Sequence, residues 1–140
     1  MIGSSTIDRV NKFKLLGIYF TSDLKWTEHV NYIITKATKR FFVISQLARI
    51  GIDSTAMVTV YCSIVRPILE YASPVWHCGL TQGQSDDLEN VQKRCLKMIF
   101  PDLYAVAIGI ARIERLSVRR ERAIISLFKE VKHPFHILSN

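Results

Sequence analysis

No apolar run in this 140-residue chain approaches the roughly 20 residues that span a bilayer, although nearly half of its residues are apolar. The opening Met-Ile-Gly-Ser-Ser-Thr has neither the basic start nor the apolar stretch of a secretory leader. No Asn-x-Ser/Thr acceptor occurs. These absences favour an intracellular setting, nuclear or cytoplasmic. Cysteine is scarce, with Cys62, Cys78 and Cys95 in no CxxC pair. A zinc site needs four ligands at characteristic spacing, and only His77-Cys78 are neighbours, so the expectation is three reduced, mostly buried thiols and no metal.

Catalytic signatures are missing too. The chain has no GxxxxGK[ST], no GxGxxG and no nucleophile elbow. Its histidines, His29, His77, His133 and His136, are dispersed, and His29 is expected to be solvated in the first turn of a helix. Asp86-Asp87 is the one adjacent carboxylate pair. A Mg²⁺-dependent polymerase gathers two or three carboxylates, one pair usually in a strand turn. Here the pair follows Gln84-Ser85 and opens a helix, where the helix dipole explains it. Nothing supports an enzyme acting alone.

What is present is positive charge and apolar periodicity. The net charge is +7, distributed as +5 over residues 1–50, −1 over 51–100 and +3 over 101–140. Basic ends around a neutral centre suit a polyanion such as nucleic acid, or serve only to keep the protein dispersed. The length fits one domain or the tail of a larger one. A free domain of this size buries about two thirds of its unfolded surface.

Along the chain, residues 6–20 read as two short strands around Asn11-Lys12, with Gly17 interrupting the second. A hairpin this small needs helices or a further sheet to pack on. Residues 27–50 read as one helix, capped by Thr27, stopped by Gly51 and lined by Val30, Ile33, Ile34, Ala37, Phe41, Ile44 and Ala48. Asp53 or Ser54 caps a second helix, apolar almost all round, lined by Met57, Tyr61, Ile64, Val65, Ile68 and Ala72 and kinked by Pro67. Ser85 caps a third, lined by Leu88, Val91, Cys95 and Met98. Residues 103–116 are ambiguous because Gly109 interrupts their pattern. A last helix starts at Ser117, buries Ile124, Leu127, Phe128 and Val131, and ends at His133-Pro134. The fold class is therefore mostly α, a four- to five-helix bundle with an N-terminal β-hairpin.

Residues 13–18, 24–30, 61–76, 88–94, 116–120 and 133–134, taken in that order, resemble the region after the palm in reverse transcriptases of non-LTR (LINE-type, jockey/CR1-like) retrotransposons. Phe13-Lys14-Leu15-Leu16-Gly17-Ile18 is similar to the family's primer-grip hairpin. Leu24-Lys25-Trp26-Thr27-Glu28-His29-Val30 resembles the start of its first thumb helix. Tyr61 through Trp76, with Val65-Arg66-Pro67-Ile68-Leu69-Glu70-Tyr71-Ala72-Ser73-Pro74-Val75-Trp76 as its centre, follows the family pattern Y-x-x-x-V-x-P-x-L-E-Y-A-x-x-V-W. Leu88 through Arg94, Leu116 through Arg120, and His133-Pro134 resemble later segments. Tyr104-Ala105-Val106-Ala107-Ile108-Gly109 departs, lacking the usual acidic residues.

The resemblance implies a primer-grip hairpin over residues 1–22 and a helical thumb over 23–140. Together they would be a fragment of an RNA-directed DNA polymerase, holding a template–primer duplex through its backbone. The palm would precede residue 1 and would carry the catalytic aspartates and their Mg²⁺. No catalytic, metal-binding or cofactor-binding residue is then expected here, and no membrane or small-molecule partner. The expected nucleic-acid contacts are Leu16 and Gly17 at the grip tip, Lys36, Lys39 and Arg40, then Lys93, Arg94 and Lys97, and Arg119 and Arg120. Each has a plainer reading. Gly17 could merely bend a strand, the lysines could be a solvated face, and Arg119 or Arg120 could pair with Glu89, Glu114 or Asp102. A second overall reading is a relic or domesticated helical interaction module with no nucleic-acid activity.

Overall fold

A computed structural model describes residues 9–137. Thr6 to Asp8, where the expected strand region opens, lie outside the described residues, as do residues 138–140. The chain is mostly helical with one antiparallel hairpin, β1 (Lys12–Leu15) and β2 (Ile18–Thr21). The turn is Leu16-Gly17 and not Asn11-Lys12. Both turn residues have positive φ, 49° and 83°, the geometry that matches the twist of a two-residue hairpin. Gly17 therefore makes the turn and does not interrupt a strand. The Tyr71 hydroxyl donates to the Leu16 carbonyl at 2.9 Å, which ties the tip to the helices.

The expected 27–50 helix is divided at Arg40 into α1 (Thr27–Lys39) and α2 (Phe41–Arg49). Thr38 Oγ1 donates to the Ile34 carbonyl at 2.8 Å, a back-bond that bends helices. At the break the Arg40 and Val43 amides reach carbonyls only three residues back. The bend turns Phe41 and Ile44 inward and exposes Ala48, and Leu47 packs on the core in its place. Gly51, at φ 77°, follows the end of α2 as expected. Thr27 opens α1 but does not cap it; its hydroxyl accepts from Gln84 instead.

Asp53 caps α3 (Ser54–Val60) by accepting from the Thr55 amide. A π turn, Tyr61–Val65, joins α3 to α4 (Arg66–Glu70), with Pro67 in the first turn of α4. Four residues overshoot one α-turn by about 40°. The wider turn absorbs that overshoot, so Met57, Tyr61, Val65 and Leu69 share one buried face. Leu69, expected off the face, is fully buried, whereas Ile64 and Ile68 are half-buried and Thr55, Thr59 and Ser63 are exposed. Ala72, left-handed at φ 52°, separates α4 from the short α5 (Ser73–Trp76), and a 3₁₀ turn follows.

Thr81, not Ser85, caps α6 (Gln82–Ile99), and it does so with Gln84 in a reciprocal capping box. Asp86 and Asp87 consequently lie beyond the first turn. Leu88, Val91 and Cys95 are buried as expected, joined by Gln92, Leu96 and Ile99. The ambiguous stretch forms α7 (Tyr104–Ala111), and α8 (Leu116–Ile137) closes the described chain. The α8 backbone continues through His133-Pro134, where the helix was expected to end. Among the described side chains of α8, only those at its start enter the core. This start packs on α4, α5 and α6, and the apolar stripe beyond has nothing over it among the described residues. Leu127, Phe128 and Val131, expected inside, are exposed.

Gly17→Val forces a β-branched residue into positive φ and brings its Cβ to 3.3 Å from the Tyr71 ring. It should cost about 1–3 kcal/mol of stability, read as a lowered urea midpoint. The substitution is thus not neutral for folding.

Candidate nucleic-acid interface

The chemistry-bearing residues fall into three groups: a buried cluster around Trp76, an exposed face on α1 and the hairpin, and the outer surfaces of α6 and α8. In the buried cluster, the His29 ring centre lies 5.3 Å from that of Trp76. On the indole the Arg120 guanidinium lies 5.9 Å from the ring centroid. All three side chains are fully buried. Arg120 donates from Nε to His77 Nδ1 at 3.0 Å and from a terminal nitrogen to Ser85 Oγ at 2.9 Å. The Trp76 indole N–H donates to the Tyr71 carbonyl, and Trp26 packs edge-on against His29. A Cβ at Gly79 would collide with the Trp26 indole, so glycine lets the tryptophan lie over the 3₁₀ turn. His29, expected in solvent, shares the Val30–Ile33 side of α1, and two tryptophans exclude water from it.

Arg120, one of the expected phosphate contacts, is therefore spent inside. Arg119 is engaged as well, forming a two-pronged pair with Glu70. The compensating carboxylate is Glu70 and not Glu89, Glu114 or Asp102. Glu89 and Glu114 instead face Arg115 and Arg122. Burial puts Arg120 out of a polyanion's reach, and Arg119 is already matched by Glu70.

Lys93, Arg94 and Lys97 are exposed on α6. Lys93 lines a cleft of about 570 Å³ together with Asp86 and Glu89, whose charges offset it. Arg94 covers the Phe41 ring at 5.6 Å and Lys97 the Tyr104 ring at 5.7 Å. Lys36, Lys39 and Arg40 remain exposed on α1 and its C-terminal junction. Among the described residues none of the three makes an ion pair.

Next to them stands a contact that the residue pattern did not single out. Lys14 of β1 donates to the Tyr32 hydroxyl at 3.1 Å, and Lys14 and Lys36 both lie against the Tyr32 ring. Their positive charge, the Lys14 hydrogen bond foremost, holds the Tyr32 phenol below its usual range. The four-residue step from Tyr32 to Lys36 was visible in the sequence, but the approach of Lys14 requires the folded hairpin. Leu16 is 81% exposed at the tip, while Gly17 lies against Tyr71.

Of the thiols expected to be mostly buried, Cys95 is buried and its pKa is pushed up to about 12, Cys62 is half-buried and Cys78 is exposed. No helix is long and apolar enough to cross a membrane among the described residues. Comparison with protein-family models, with curated proteins and with solved structures finds no match.

Burial lowers the pKa of His29, and burial followed by the nearby Arg120 charge lowers that of His77. In the unfolded chain both return to about 6.5. As pH falls, the unfolded state therefore takes up protons first. The stability held by these neutral imidazoles is complete above about pH 6.5 and is lost as pH falls through their lowered values. The melting temperature should drop between pH 7.5 and 5. His77→Gln, which still offers Arg120 an acceptor but does not titrate, should flatten that drop; a wild-type melting temperature constant over the range would refute the assignment.

Proposed function

We propose that this chain is the thumb and post-palm part of a non-LTR retrotransposon reverse transcriptase. In this reading it grips the template–primer duplex by backbone contacts and is no enzyme on its own. The observation that carries the reading is the exposed Lys36, Lys39 and Arg40 group, which has no carboxylate partner among the described residues and lies on the helix against which the hairpin packs. Positive charge without an internal partner is what a phosphate backbone requires. The meeting of Trp26, His29, Trp76 and Arg120 in one cluster supports it too, because three separate stretches of the resemblance supply those residues. The palm would provide the metal-binding carboxylates and Mg²⁺ of the polymerase.

The second reading, a helical interaction module without nucleic-acid activity, is favoured by the exposed apolar stripe of α8. Salt dependence separates the two. Binding of a B-form duplex should weaken steeply with salt, with a log–log slope near −0.9 for each phosphate neutralised. Lys39→Gln with Arg40→Gln should reduce the magnitude of that slope by up to about 1.8. Affinity equal at low and high salt would overturn the duplex reading and leave the interaction module.

A further inference from the structure

Lys12 and Lys14 lie on one face of β1, two residues apart, yet their surroundings differ. Lys12 is matched to Glu28 at 3.3 Å. Lys14 faces no carboxylate; it meets the Tyr32 phenol, which Lys36 approaches as well. The two ammonium nitrogens stand 4.6 and 5.9 Å from the same ring centroid. Lys14 is also 5.5 Å from the Tyr19 ring centroid. Among the described residues neither lysine makes an ion pair. Two like charges from different elements thus converge with no opposite charge between them. The Tyr32 hydroxyl anchors Lys14 and the ring faces of Tyr19 and Tyr32 limit where it can swing, so Lys14 is held beside the ring that Lys36 also approaches before any ligand arrives.

We infer that Lys14 and Lys36 together hold a single phosphate group of a nucleic-acid backbone beside Tyr32, so that the hairpin and the first helix grip the same strand. The inference rests on the duplex-binding reading and narrows it. It adds Lys14 and Tyr32 to the interface and joins them to Lys39 and Arg40 one turn further along. A phosphate diester suits the site because its two anionic oxygens can accept from two ammoniums at once.

The test compares wild type with Lys14→Gln, Lys36→Gln and the double variant. Binding of a 12-base-pair B-form DNA duplex would be measured by fluorescence anisotropy over a series of salt concentrations, with circular dichroism confirming the fold. All substituted side chains are exposed. If the lysines share one phosphate, the double variant should reduce the slope by about 0.9, one phosphate's worth. A reduction near 1.8 would mean two separate phosphates and would overturn the shared site, as would an unchanged slope. Should wild type bind no duplex at any salt, the duplex reading fails and inorganic phosphate decides the site. Tyr32 ring resonances that move on phosphate addition in wild type but not in the double variant would uphold it, and resonances that stay fixed in wild type would overturn it.

Discussion

Trp76 meets both a neutral imidazole and a buried guanidinium, and most of the architecture depends on that junction. His29 brings α1, and through the long hydrogen bond from the Tyr19 amide to His29 Nδ1 it brings β2 as well. Arg120 brings α8, and its bonds to His77 and Ser85 reach the 3₁₀ turn and α6. α1 and α8 thus meet on one indole, and the bonds of His29 and Arg120 extend the junction to β2, the 3₁₀ turn and α6. Burying a guanidinium is costly unless it is hydrogen-bonded. Nε and one terminal nitrogen have partners and the aromatic face stands by the charge, while the other terminal nitrogen is buried with no partner among the described residues, so the cost is only partly offset. Because the hairpin is small and half exposed, its orientation comes from this junction together with the Tyr71 bond to Leu16. The direction in which Lys14 and Lys36 face solvent follows from both.

A second buried chain of polar groups complements the first. Tyr61 donates to the Gln92 side chain, which donates to the Glu114 carbonyl. This links α6 both to the π turn and to the loop before α8. Burial pushes the Tyr61 phenol far above its usual range, so it remains a neutral donor at ordinary pH. The apolar core surrounds these two polar junctions, and the cations meant for solvent lie outside them.

Much of the fold was legible from period and punctuation. The α1 stripe of Val30, Ile33 and Ala37, the Asp53 cap, the Gly51 stop and the α6 stripe of Leu88, Val91 and Cys95 stand where spacing placed them. The errors arose where a local bond competed with the period. Thr38 divided the first helix, and a π turn rotated Leu69 into the core, which no apolar count anticipates. Thr81 outcompeted Ser85 because Gln84 completes its capping box. The candidate site was less legible. Arg119 and Arg120 look alike in sequence, yet one pairs with Glu70 and the other is buried on Trp76, partners that lie 49 and 44 residues away in the chain. Conversely Lys14, unremarkable among alternating strand residues, gains its place only when the hairpin closes on α1. The exposed stripe of α8 shows the limit of periodicity, which identifies an apolar face but not whether anything covers it.

Under the proposed reading, the chain presents one basic face, made by the hairpin and α1, to a nucleic-acid backbone. The most direct measurement is a map of amide chemical-shift changes in the labelled chain as an RNA–DNA hybrid duplex is added. The account predicts changes concentrated at residues 12–17 and 32–40, with the distal half of α8 silent. Changes confined to α8, or none at saturating duplex, would contradict it.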